Sequence, residues 1–295
     1  MRARPTLALA ALLVSFVVSA AEAAVVVGDG MGLAVTLAAP AKRIVALAPH
    51  TVELLYAAGA GAKVVAAVDY SDFPPEAARL PRVGGVTGFS LEALLRQKPD
   101  LVVAWRDGLG PREEARLRSL GVPLYISRPL KLDDVAAEIA ALGQLADTVP
   151  AAQAAAYRYR ARLAALRQRY AARAPVSVFY QISQTPIFTV SNESFVGQMI
   201  ESCGGRNVFG ALKLPAPQVS AETVVAARPQ VMLANDAAML EVWSRWTRLP
   251  AVAAGTRYTL PGDLVGRPGP RLVDGAEAVC ATLEKARGRL GLTHR

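Results

Sequence analysis

Cysteine, histidine and lysine are scarce in this chain of 295 residues, which holds two, two and six of them. Two cysteines are too few for a fold held together by disulfides in place of a core. Only His50 and His294, at opposite ends of the chain, are there to complete a zinc site with them, so no structural metal is expected. Arginine therefore supplies most of the 33 basic residues behind the net charge of +9, and no dense polybasic run is formed. That is the pattern of a solvated surface, and no nucleic-acid partner is expected. G-x-S-x-G, P-loop and H-E-x-x-H patterns are also missing, so no activated nucleophile, phosphate cradle or metal-protease helix is specified and the chain does not read as an enzyme. Beyond the first two dozen residues, no apolar run approaches the roughly twenty that a spanning helix needs.

What is present is enough apolar material, 53% of residues against 19% charged, to fill two cores. The length suits two units of about 100–150 residues. Arg2 and Arg4, the apolar stretch Leu7 to Val18 and the small residues Ala21 and Ala23 read as a signal peptide over 1–23, cleaved near Ala23, which sends the mature chain out of the cytoplasm. In an oxidising compartment the lone pair Cys203 and Cys280 is expected to form a disulfide. Closing a loop of about 77 residues contributes roughly 4 kcal/mol in the chain-entropy model.

The mature chain opens as a hairpin, with Val25 to Val27 and Leu33 to Leu37 either side of a Gly28-Asp29-Gly30 turn. From Arg43 it becomes βαβ: a strand at Ile44 to Leu47, a helix opened by Pro49 and stopped at Gly59 and Gly61, then a strand at Val64 to Val68. An internal repeat follows. SLEALLRQKPDLVVAW (90–105) recurs as SAETVVAARPQVMLAN (220–235), with Ser90 over Ser220, Glu92 over Glu222 and Pro99 over Pro229. Each copy places serine at a helix N-cap, glutamate in the first turn where the helix dipole favours it, and proline ahead of a buried strand. ELLYAAGAGAKVV (53–65) is echoed by QMIESCGGRNVF (198–209). Between Pro150 and Pro175, Tyr159, Leu163, Leu166 and Tyr170 fall on one face of a helix whose other face carries Arg158, Arg160, Arg162, Arg167, Arg169 and Arg173, expected to be solvated. The fold class predicted is α/β: two similar lobes with central, mainly parallel sheets, joined by one long bridging helix, with a ligand cleft between them. The divisions are a signal peptide over 1–23, an N-terminal lobe over 24–148, the bridging helix over 149–174 and a C-terminal lobe over 175–295.

Two lobes and a stiff bridge suit ligand capture in an inter-lobe cleft. Trp105 ends the strand VVAW, where parallel sheets present groups to ligands. His50 follows Pro49 at a helix start beside the cleft; it could ligate a cargo metal, though its residue type and position read first as a helix-start side chain contacting solvent. The runs RIVALAP (43–49), ELLYAAG (53–59), DYSDFPP (69–75), ESCGGRNVF (201–209), PQVSAETVVAARP (217–229) and GPRLVDGAEAVC (269–280), with the first repeat copy, resemble the periplasmic cobalamin-binding proteins of ABC importers, within the helical-backbone class of receptors for cobalamin, haem and iron siderophores. The resemblance implies that Tyr70 contacts a corrin from one lobe, and Asp263, Leu264, Val265, Gly266 and Arg267 from the other. It implies that Glu92 and Glu222 dock the inner-membrane ABC permease, which works with its ATPase. A monomeric, periplasmic receptor with no cofactor of its own is expected, its cargo cobalamin or a related corrinoid. Val86 and Ala216 stand where cobalamin receptors that grip the ring with tryptophan place it, and haem or a ferric siderophore is the alternative cargo. For haem, Tyr70 is a second possible iron ligand.

Overall fold

The computed structural model describes residues 24–85 and 88–292; the expected signal peptide, Val86 and His294 lie outside the described residues. The chain opens with an antiparallel hairpin, β1 (Val25–Gly28) and β2 (Ala34–Leu37). The first lobe continues with β3 (Ile44–Ala46), α1 (Pro49–Ala57), β4 (Val64–Ala67), the small ladder β5 (Gly84–Gly85) and β6 (Gly88–Phe89), α2 (Leu91–Arg96), β7 (Leu101–Trp105), α3 (Pro111–Ser119), β8 (Leu124–Ser127) and α4 (Asp134–Leu145). After α5 (Val149–Tyr170), the second lobe comprises β9 (Val176–Gln184), β10 (Ile187–Thr189), α6 (Phe195–Ser202), β11 (Gly205–Asn207), α7 (Ala221–Ala227), β12 (Val231–Ala234), α8 (Ala237–Glu241), α9 (Pro250–Ala253), β13 (Arg257–Thr259), α10 (Gly262–Gly266) and α11 (Leu272–Arg289).

Both lobes are wound the same way. The first sheet runs β4-β3-β7-β8, every neighbour parallel. In the second, β11, β12 and β13 build the corresponding parallel set around β9, and β10 is added antiparallel to the far end of β9. Strands such as IVA in β3 and VMLA in β12 are buried along their whole length, as sheets covered by helices on both faces require. The repeat seen in the sequence is the strand-entry unit of each lobe: Ser90 and Ser220 accept from the amides of Ala93 and Thr223 at the starts of α2 and α7. The echo around the paired glycines is the first helix of each lobe. Gly59 and Gly204, at φ of 80° and 68°, turn the chain out of α1 and α6 in the left-handed region that glycine adopts without cost.

The helix α5 buries Ala152, Ala156, Tyr159, Leu163, Leu166 and Tyr170, one continuous face over 22 residues, or about 33 Å of axis. Of the arginines expected to be solvated, Arg158, Arg160, Arg162, Arg167 and Arg169 are exposed and Arg173 is half-buried, and some of them also form ion pairs. Arg162 bridges Asp274 and Glu277 of α11, both at 2.7 Å, and Arg167 meets Asp133 at 2.7 Å. These half-exposed pairs orient the helix on both lobes, at under about 1 kcal/mol each. Cys203 at the end of α6 is bonded to Cys280 of α11, 77 residues on, and both are fully buried within the second lobe.

Candidate functional site

In open parallel sheets the ligand crevice lies beyond the carboxyl ends of the strands, where the winding changes direction. In the first lobe that point falls between β3 and β7. His50 follows β3 and Trp105 ends β7, and their rings meet edge to face at 5.5 Å between centroids. Tyr70 stands on the loop after β4 with 65% of its surface exposed and φ at 62°, a conformation unfavourable for a bulky residue. Arg82 braces that loop, donating to the carbonyls of Val68 at 3.3 Å and Ser71 at 3.0 Å. A strained backbone held by its surroundings presents the tyrosine ring outward.

Across from Tyr70 lies the segment of the second lobe that runs from α10 into α11. Val265 is buried in its own lobe, Leu264 is half-buried, and Asp263 and Gly266 are exposed. Arg267 reaches across the lobes: its guanidinium lies 2.9 Å from Asp72, 3.6 Å from Glu53 and 3.4 Å from Asp263. Arg271 makes a bidentate pair with Glu53, at 2.9 and 2.7 Å, and covers the Phe73 ring at 4.2 Å. Glu53 holds the Arg271 guanidinium above its ordinary range. A close approach by Gly269 makes this junction possible, since a Cβ there would meet Glu53 Oε2 at 3.3 Å and the His50 Cβ at 3.4 Å.

A second crossing mirrors the first. Gln198 occupies in α6 the place of Glu53 in α1, and it crosses the other way, accepting from the amide of Leu132 at 3.0 Å and donating to the carbonyl of Leu130 at 2.9 Å. In both lobes a polar residue of the first helix grips the segment that precedes the last helix of the other.

The structure corrects the reading of His50 as a solvent-facing side chain. It is buried, with Nε2 3.2 Å from the Ser127 hydroxyl, which donates to Glu138 at 2.5 Å; Glu138 also accepts from the Arg128 amide at 2.8 Å. Burial, then the nearby Arg267 charge, lowers the His50 pKa to about 3. Burial raises Glu138 to about 7 against the two hydrogen bonds it accepts. The signs oppose each other. A histidine held neutral contributes stability present above its unfolded pKa near 6.5 and lost as pH falls below it. A carboxyl with a raised pKa contributes stability present below about 4.5 and lost as pH rises to about 7. Between about 4.5 and 6.5 the two slopes cancel. Glu138→Gln is therefore expected to gain stability relative to wild type by about 1.4 kcal/mol per pH unit as pH rises through that window, and His50→Gln to lose by a similar slope. Urea unfolding at a series of pH values measures both differences; parallel wild-type and variant curves would show that neither group is perturbed.

The sequence-based site residues are thus partly gathered. Tyr70, Trp105 and His50 lie at the carboxyl edge of the first sheet, and Arg267 meets the Tyr70 loop through Asp72. Ala216 is exposed on the segment beside β10. Glu92 and Glu222 are exposed on the first turns of α2 and α7. Sequence reasoning missed Glu53, Asp72, Phe73, Ser127, Glu138, Gln198 and Arg271. For Glu53 and Glu138 a signal exists: each is a lone carboxylate in an otherwise apolar helical stretch, VELLYA and AAEIAAL, where burial demands a partner. Among the described residues no group of three or more His, Cys, Asp or Glu is placed to hold a metal ion, and no helix is long and apolar enough to cross a membrane.

The sequence profile of periplasmic binding proteins matches residues 44–264. The chain belongs to the periplasmic binding protein family. Within it, the chain is 41% identical over 250 residues to the Vitamin B12-binding protein of Vibrio cholerae, covering 84% of this chain and 91% of that protein. It is 35% identical over 245 residues to the Vitamin B12-binding protein of Yersinia pestis, covering 81% and 85%. Among solved structures it resembles the periplasmic Vitamin B12 binding protein BtuF of Vibrio cholerae, with a TM-score of 0.77 over 84% of this chain and 98% of that one. It also resembles the periplasmic heme-binding protein RhuT of Roseiflexus sp. RS-1, at 25% identity and a TM-score of 0.73 over 83% and 98%. The family is one of binding proteins that serve transport, which agrees with the lack of catalytic motifs in the sequence.

Proposed function

We propose that this chain is an exported receptor that captures cobalamin or a related corrinoid between its lobes and hands it, as a monomer, to an inner-membrane ABC permease and its ATPase. The observation that carries this reading is the 41% identity to a Vitamin B12-binding protein over 84% of the chain, against 25% to the haem-binding RhuT. The charge and leader pattern of residues 1–23 supports export to the periplasm. Tyr70 supplies an aromatic face at low entropic cost, and Trp105 lies on the same edge of the sheet. Asp263 and Arg267 supply hydrogen-bonding groups for amide side arms, while Leu264, Val265 and Gly266 shape the facing wall. His50 acts as the support beneath Trp105, its Nε2 being engaged by Ser127. Arg267 and Arg271 are shared among three carboxylates, Glu53, Asp72 and Asp263, which leaves this junction without net positive charge. That suits an uncharged ring rimmed with amides better than a ferric siderophore anion.

Isothermal titration of the mature protein with cyanocobalamin, haem and a ferric siderophore, at two salt concentrations, tests the reading. One-to-one cobalamin binding that changes little with salt is expected, with Tyr70→Ala weakening it about tenfold at unchanged melting temperature. Silence toward cobalamin with binding of haem or siderophore would move the chain to another cargo.

A further inference from the structure

On the second lobe, away from the cleft, a cavity of about 230 Å³ is lined by Arg228, Arg245, Arg248 and Trp246 over an apolar base that includes Val225 and Leu249. It is smaller than the roughly 300–1,000 Å³ of pockets for drug-sized ligands, so it fits a compact group and not the transported ring. No acidic side chain lines it, and among the described residues none of the three arginines is ion-paired; Arg245 lies over the Trp246 ring at 5.6 Å. All three arginines are exposed, and like charges gathered around one hollow repel one another, a repulsion that a bound anion would relieve. Guanidinium forks match the paired oxygens of a phosphate, and a half-exposed indole among arginines is the side-chain set found at the headgroup level of membranes. Arg228 caps the carboxyl end of α7 in the left-handed conformation, at φ of 46°, and Glu222 begins the same helix. The two are about 9 Å apart along its axis.

We propose that this cavity takes the phosphodiester headgroup of an anionic phospholipid and holds the second lobe against the membrane surface. The proposal rests on the reading that Glu222 faces a membrane-embedded permease, which brings α7 and the cavity beside it near the bilayer. Each arginine near an anionic surface strengthens binding about fivefold, so loss of all three should weaken it about a hundredfold.

Flotation of the mature protein with phosphatidylcholine vesicles, with and without phosphatidylglycerol, reads the effect without cargo or transporter. Wild type should bind only the anionic vesicles. The Arg228→Asn, Arg245→Gln, Arg248→Gln triple variant should lose that binding while its cyanocobalamin titration is unchanged; asparagine at 228 tolerates the left-handed backbone. A second triple variant with the same loss of charge on the exposed positions Arg112, Arg116 and Arg160, each to Gln, should bind anionic vesicles as wild type does. Equal losses in the two triple variants would reduce the effect to net charge and overturn the proposal, as would an unaltered cavity variant. Glycerol 3-phosphate that perturbs Trp246 fluorescence while no vesicle binds would assign the cavity to a free phosphate ester instead of a lipid. A wild type that floats with anionic vesicles yet ignores cobalamin would overturn the cargo and leave the lipid site standing.

Discussion

Glu53→Leu is expected to destabilise the protein by about 3–5 kcal/mol, because it strands the Arg271 guanidinium at a buried junction with its bidentate partner gone. The side chain of Glu53 is 2% exposed, so water cannot take the carboxylate's place. Arg271→Met should cost a comparable amount, since Glu53 would keep only Arg267 at 3.6 Å, and the contact over Phe73 would go too. The double variant decides what the pair is worth. With both charges gone and similar volume restored, it should be more stable than the sum of the single losses implies by about 2 kcal/mol or more. Denaturant unfolding with the disulfide intact gives all four values. Additive losses would mean that the two residues act separately. The same variants should loosen the arrangement of Arg267 beside Tyr70, so a drop in ligand affinity is expected alongside the loss of stability.

That junction also shows how far the sequence can be read. The hairpin, the first βαβ unit, the capped repeat, the disulfide and the buried face of α5 were all legible, because each depends on short-range spacing or on a count of two cysteines. The repeat even anticipated that β12 would sit in its sheet as β7 does. The junction between the lobes was not legible, because its partners lie up to 218 residues apart and no local rule pairs Glu53 with Arg271. Its polar residues announce only that they need a partner. The pairing of Glu53 with Gln198 in the echoed helices was visible as an alignment, but its meaning, a reciprocal grip of each lobe on the other, follows only from the winding of the two sheets. His50 was misjudged for the same reason: Ser127 and Glu138, which enclose it, come from the far end of the lobe's sheet and the helix after it.

Reversing Glu92 and Glu222 together to arginine should abolish transport and spare capture. Both carboxylates project from short helices at the same position of the repeat, one on each lobe, which is the arrangement a two-fold symmetric permease requires. Neither has a structural role large enough to confuse the result. Glu92 is 84% exposed, with Arg96 at 3.6 Å as an exposed partner, and helix-dipole stabilisation at such a position is worth under about 1 kcal/mol. The Glu222 carboxyl is held below its ordinary range by its own backbone amide and the Ser220 hydroxyl, so it is charged throughout the neutral range. Two contacts on one rigid frame act together, so each single reversal should leave partial uptake and the pair should reduce it to background. The measurement is cobalamin uptake by cells lacking their own receptor, alongside titration of the purified double variant with cyanocobalamin. Wild-type affinity with no uptake would place the defect at docking, and opposite charge changes in the permease should restore it. Normal uptake by the double variant would remove these glutamates from the interface and leave their first-turn placement as helix chemistry alone.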